Sequence, residues 1–356
     1  MTMDHSAVTV SSAAADESES LANQMSNLTV SSTIQCVPNA SSSPDPALVP
    51  RYLFRVYRPG SAGFTSAETV ASLAAYNKFQ AGDRNAKWED VVTEDISAMN
   101  RTTAAAMLGR HLQGWFTEPE TNLVSWTSSL LFAIQYIVFL NKNRQRMALE
   151  AISLCVIDTS KFEPGTFQQD LALISAYRDS ADEALEGIDR LRTGSEYYFG
   201  EYLSQGVLDI EGKCRVVSGD RVINESLFLF RPEFKKMMRK KGDTVGWARE
   251  VDELRVKFYY QGADDSALSL SFDNSKRYEQ ITALMAIADA FGSPWRLPIA
   301  AHLMGFYKDW EGSKGKIAIP KAIFAGFSGR LEKLCPLPGC LWELTCLGTL
   351  TLQHRP

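Results

Sequence analysis

The chain has 356 residues, 45% of them hydrophobic, and a formal net charge of -5. That length and apolar fraction suit one or two packed domains, while the acidic balance argues against a protein whose main task is neutralising nucleic-acid phosphates. The longest apolar run, Leu130 to Leu140, is interrupted by Gln135 and falls short of the roughly twenty residues a bilayer span needs, so no membrane partner is expected.

Residues 1–48 are dominated by Ser, Ala, Thr, Asn and Pro with few large apolar side chains. Such a composition buries too little surface to offset chain entropy, which predicts a disordered tail. The segment has no basic start followed by an apolar run, so a cytoplasmic or nuclear protein is expected rather than a secreted one. The sequons at Asn27 and Asn39 are then chance matches.

Order is predicted from Val49. RYLFRVYR (Arg51 to Arg58) alternates, is rich in aromatics and stops at Pro59-Gly60, as a strand would. A helix is predicted near Ala67 to Phe79, and another over Met99 to Leu112 with Ala104, Met107, Leu108 and Leu112 on one side. Leu123 to Trp126 reads as a short strand running into a helix capped by Ser128 or Ser129, its buried face carrying Leu130, Leu131, Ile134, Ile137 and Val138. Ala151 to Asp158 reads as a buried strand, and Tyr197 to Leu203, Lys213 to Val217 and Leu227 to Phe230 as further strands. These alternations predict an α/β (α+β) domain over residues 49–232. Residues 233–356 are expected to form a smaller, mostly helical region. It begins with a basic, loop-like junction at Lys235 to Asp243, has helical periodicity over Tyr278 to Phe291 and Ile299 to Trp310, and ends in an irregular apolar tail.

The six cysteines (Cys36, Cys155, Cys214, Cys335, Cys340, Cys346) contain no CxxC pair, and His5, His111, His302 and His354 lie far apart. No metal site is therefore expected, and the thiols read as reduced. Walker A and GxGxxG phosphate loops are missing, and GFSGR (Gly326 to Arg330) is one residue short of GxSxG. KKMMRKK is a solvated surface segment in its plain reading and a nuclear address or anion contact in its sharper one. His111, beside a predicted helix end, reads as a packing or capping histidine.

Three segments carry residues of chemical interest: LFRVYR with Arg55, LVSWTSSLLFAIQYI with Ser125, Thr127 and Ser128, and FGEYLSQGVL with Glu201 before a turn at Gly206. In this order and spacing they resemble the arginine–serine–glutamate class of ADP-ribosyltransferases, which has an Arg on its first strand, a Ser-Thr-Ser-like strand before a helix and a Glu on a late strand. SWTSSLLFAIQY and GEYLSQG also resemble a fungal family of domains of unknown function. The resemblance covers about residues 49–232. It implies a split mixed sheet with flanking helices, NAD as substrate without a metal, and an unknown protein acceptor or partner.

By the same resemblance Glu201 is the catalytic carboxylate, steadying an oxocarbenium-like ribose as carboxylates do in glycoside hydrolysis. Arg55 would hold phosphates through charge-assisted bonds, with Ser125, Thr127 and Ser128 positioning the ribose. Two departures stand out. Trp126 interrupts the serine motif, and Phe199 occupies the place, two residues before the glutamate, where enzymes acting on arginine or DNA bases carry Glu or Gln. Each residue also has a plain reading: a surface strand arginine, a helix cap and an exposed edge carboxylate. Two functions follow, an NAD-cleaving ADP-ribosyltransferase-like enzyme and a non-catalytic protein-interaction module on the same fold.

Overall fold

The computed structural model describes residues 49–82, 86–114, 120–143, 146–180, 182–193, 197–240, 248–260 and 274–306. The expected tail over residues 1–48 and the apolar C-terminal segment therefore lie outside the described residues.

The aromatic segment near the start forms β1 (Tyr52–Tyr57). Two short strands follow, β2 (Phe64–Thr65) and β3 (Thr69–Ala71), before helix α1 (Leu73–Ala81). The helix expected from Ala67 thus starts six residues later. Thr69 and Val70 are β-branched and suit a strand, and the Ser72 side chain accepts the Ala75 N–H, fixing the helix start. Helix α2 (Arg101–Gln113) begins at an Asn100 cap and ends at Gly114 in the left-handed region, close to the predicted span.

Strand β4 (Leu123–Thr127) leads into α3 (Leu130–Lys142), capped by Ser129. Then come β5 (Ser153–Asp158), the two-residue β6 (Gln168–Gln169), α4 (Asp170–Tyr177) and α5 (Glu183–Thr193). Strand β7 (Glu201–Gln205) begins later than expected because Gly200, at φ +63°, breaks the extended run. It is followed by β8 (Val207–Asp209), β9 (Cys214–Ser218) and the single turn α6 (Gly219–Val222).

Two local expectations are corrected. Leu227 to Phe230 is not a strand but part of α7 (Glu225–Phe230), because the Asn224 side chain accepts the Ser226 and Leu227 N–H groups and starts a helix. The start of the basic junction, Lys235 to Met238, is helical as well, and residues 241–243 lie outside the described residues. Helix α8 (Pro232–Met238) buries Phe234 and Met237, three residues apart, while Lys235 and Lys236 face outward. Helices α9 (Ala248–Arg255), α10 (Asn274–Asp289) and α11 (Ser293–Met304) complete the described chain. No helix among the described residues is long and apolar enough to cross a membrane.

The strands make a six-stranded sheet in the order β6-β7-β4-β1-β5-β9 and a three-stranded sheet in the order β2-β3-β8. Every strand pair in them is antiparallel, so the fold is mixed α/β with antiparallel sheets, where a mixed sheet was expected. Both faces of the large sheet are covered, which is why β5 reads as a near-continuous apolar run. On one face Phe54, Leu154 and Val156 pack against α3 and, beyond it, against α7, α8, α10 and α11 in a single core. Helix α3 is buried nearly all round as a result. Further along the same face Leu123 and Leu203 meet α2, α4 and α5. The opposite face brings Leu53, Trp126, Cys155 and Tyr202 against Val70 and Leu208 of the small sheet.

Candidate functional site

The three strands carrying the candidate residues, β1, β4 and β7, are neighbours in the large sheet. Strand β4 runs beside β7 over five residues, pairing Ser125 with Leu203 and Thr127 with Glu201. Directly paired residues share a face, so Ser125, Thr127 and Glu201 project together on the helical side. Trp126 alternates to the other face, where its indole N–H donates to the Ser204 hydroxyl at 2.9 Å. The tryptophan inside the serine motif therefore leaves the site face untouched, a consequence of the two-residue strand period.

The junction between β1 and β4 is different. They pair only at Phe54 with Thr127, whereas β1 pairs with β5 along its whole length, so the sheet is split just beyond that point. Arg55 lies opposite Cys155 and leaves β1 on the small-sheet side. Its guanidinium turns into the split, where Nη1 donates to the Ser125 carbonyl at 2.9 Å and Nε to the Thr65 hydroxyl at 3.2 Å. A side-chain donor thus takes the place of a missing strand partner. Burial lowers the Arg55 pKa from its usual value, and the groups opposing this shift include Cys155 and Tyr136. Its charge is secure at neutral pH.

Thr127 and Ser128 are used by the fold itself. The Thr127 hydroxyl donates to the Phe199 carbonyl at 2.6 Å and accepts the Ser129 N–H at 3.0 Å. The Ser128 hydroxyl and N–H both donate to the Gly200 carbonyl, at 3.2 and 2.8 Å. Together they tie the end of β4 to the start of β7 and so fix where Glu201 begins.

Glu201 accepts through Oε2 from Arg192 Nη2, and Arg192 Nε lies 3.5 Å from Asp170 Oδ2. The side chains of Arg192, Asp170 and Glu201 are 10, 0 and 15% exposed, so one guanidinium bridges two enclosed carboxylates. Arg192 is further fixed by donating to the Tyr197 carbonyl at 2.9 Å. Burial, reinforced by the Glu201 charge and only partly offset by Arg192, pushes Asp170 up to about 7.

His111, in the last turn of α2, belongs to this site too. Its Nε2 lies 2.9 Å from Ser125 Oγ and its Nδ1 2.7 Å from Thr121 Oγ1. Desolvation lowers its pKa to about 4, with Glu201 opposing the shift and Arg55 adding to it. The ring therefore senses the charges at both ends of the site. Sequence reasoning left it as a packing or capping histidine, although it follows the buried Ala104, Met107 and Leu108 at helical spacing, placing it on the inward stripe. Asp170 and Arg192 carried no comparable signal.

Phe199 is buried, stacks on Phe132 with centroids 4.6 Å apart, and lies beneath the Arg255 guanidinium. The position two residues before Glu201 is thus a packing position. Beside Thr65, a partner of Arg55, an open cleft of about 480 Å³ is lined by residues that include Tyr57, Arg58, Phe64, Tyr76 and Glu150. Among the described residues no group of three or more His, Cys, Asp or Glu is arranged to hold a metal ion.

Residues 48–206 match the model of a family described as a domain of unknown function (DUF7587). The matched segment runs from just before β1 to the end of β7 and so contains Arg55, His111, Ser125, Asp170, Arg192 and Glu201. No curated protein and no solved structure matches the chain.

Proposed function

We propose that this chain binds NAD at the split between β1 and β4 and cleaves it as an ADP-ribosyltransferase-like enzyme. The observation that carries the reading is the adjacency of β1, β4 and β7, which brings Arg55, Ser125 and Glu201 from three distant segments to one part of the sheet. The groups left over suit the ligand. Arg55 Nη2 and Glu201 Oε1 have no protein partner among the described residues, leaving a cationic donor and an anionic acceptor for a phosphate and a ribose.

Bound NAD supplies a glycosidic bond whose nicotinamide departs with the bonding electron pair. Arg55 would donate to phosphate oxygens, where a guanidinium fork is strongest. Ser125 would hydrogen-bond the ribose, and Glu201 would accept from a ribose hydroxyl while its charge steadies the cationic sugar. Arg192 keeps that carboxylate aimed. Phe199 puts no carboxylate or amide two residues before Glu201, where one would activate an arginine acceptor, which favours water as the nucleophile over transfer to arginine.

The Arg192–Glu201 ion pair also supports a second reading, in which the cluster only braces the fold and the domain binds a protein partner. NAD binding and nicotinamide release by the purified protein separate the two. The enzyme reading expects both, and the absence of both favours the interaction module.

A further inference from the structure

Ser125 is the one candidate hydroxyl that the fold does not spend on a backbone carbonyl just before β7. Its Oγ bonds instead to His111 Nε2. A serine hydroxyl rotates freely unless a partner fixes it, and a neutral imidazole offers one donor and one acceptor at fixed angles. His111 is itself held at its other nitrogen by Thr121, so the ring cannot turn without breaking two bonds. We propose that His111 is a positioning residue of the site, fixing the direction of the Ser125 hydroxyl so that its remaining hydrogen-bonding capacity faces the split between β1 and β4. This rests on the NAD reading above and adds to it a residue from α2, outside the three motif segments.

Surroundings agree with a positioning role rather than a proton-transfer role. The charged groups acting on the ring are Glu201 on β7, which opposes the shift, and Arg55 on β1, which adds to it, and desolvation, the largest effect, leaves the ring neutral well below pH 6. A neutral ring keeps one nitrogen as acceptor, whereas an imidazolium would donate at both and impose one polarity on both hydroxyls.

The test combines NAD kinetics with a measurement that needs no NAD. His111→Phe keeps ring volume and removes both bonds, and it should raise KM for NAD about tenfold, the order of one lost hydrogen bond, with a smaller effect on kcat. His111→Gln, whose amide offers a donor and an acceptor, should recover most of that loss. In a Ser125→Ala background His111→Phe should add little, since coupled residues are not additive. Nitrogen NMR of the imidazole without NAD should show a neutral ring from pH 5.5 to 8, with the Nε2 shift moving in Ser125→Ala.

Unchanged KM in His111→Phe, or an equal loss in the Ser125→Ala background, overturns the proposal while leaving the NAD reading intact. An unmoved Nε2 shift in Ser125→Ala also overturns it. A wild-type protein that neither binds nor cleaves NAD overturns both.

Discussion

The Ser128 hydroxyl occupies the space that a side chain on Gly200 would need: a Cβ there would lie 2.1 Å from Ser128 Oγ. Gly200 also sits at φ +63°, a conformation L side chains rarely adopt. Both facts follow from bringing β4 and β7 together at their ends, one residue before Glu201.

Gly200→Ala should therefore lower stability by about 2 kcal/mol or more, from strain plus the clash. Chemical denaturation checks this as a lower midpoint at unchanged slope. Ser128→Ala removes only a hydrogen bond to a carbonyl that keeps its Ser128 N–H partner, and should cost about 1 kcal/mol. An equal cost for the two variants would contradict the steric account.

Arg192 is the cation shared by Asp170 and Glu201. Arg192→Ala would leave two enclosed carboxylates side by side, and breaking such a pair costs on the order of 3–5 kcal/mol. Arg192→Lys keeps the charge but not the fork that spans both partners, and should recover part of the loss. Denaturation curves of the two variants at pH 7 test the order: wild type, then Lys, then Ala.

Opposite pH dependences are expected from His111 and Asp170. His111 falls from 6.5 to about 4 on folding, so the unfolded chain takes up its proton first and stability is lost as pH drops from 6.5 toward 4. Asp170 rises from 3.8 to about 7, so the folded chain holds its proton longer and stability is lost as pH climbs from about 4 through 7. Each slope is at most about 1.4 kcal/mol per pH unit. His111→Gln should remove its share of the acid-side loss, leaving that of His302, which burial also lowers to about 4, and Asp170→Asn should gain on wild type as pH rises. Thermal melts from pH 4 to 8 read both, and parallel curves would contradict these assignments.

What the sequence made legible follows from periodicity. Strands β1, β4, β5 and β9 form the large sheet and helices α2 and α3 pack on it, so their buried positions recur at the strand or helix period or run continuously. The turn from Leu227 misled because Leu227 and Phe230 are three apart, a spacing too short to tell a helix turn from a strand, and the Asn224 cap decided it. Arg55, Ser125 and Glu201 were legible as motif residues, but their burial partners were not. Arg192 and Asp170 lie on α5 and α4, which no element was predicted to occupy, and only the fold brings them to Glu201. His111 was visible as an inward helix position, yet its hydroxyl partners come from sequence ten and fourteen residues away.

Phe199 gives the enzyme reading a preference that can be measured. Wild-type protein should release nicotinamide into water faster than it labels an arginine-rich acceptor, and Phe199→Glu should not simply restore transfer. The Phe199 site is packed against Phe132 and Arg255, so a buried charge there should also lower the melting temperature. Labelling of arginine at a rate equal to hydrolysis by wild type would contradict this assignment.

The most direct measurement is nicotinamide release from NAD by wild type and Glu201→Gln, with NAD affinity and melting temperature recorded alongside. The amide keeps the shape and can still hydrogen-bond the ribose, but it lacks the charge that matters when the cationic sugar develops. Glu201→Gln should lower kcat on the order of a hundredfold or more while NAD affinity changes little. Stability should shift only by the lost pairing with Arg192, on the order of 1–3 kcal/mol. Equal kcat in the two proteins, or no NAD binding by wild type, would contradict the account.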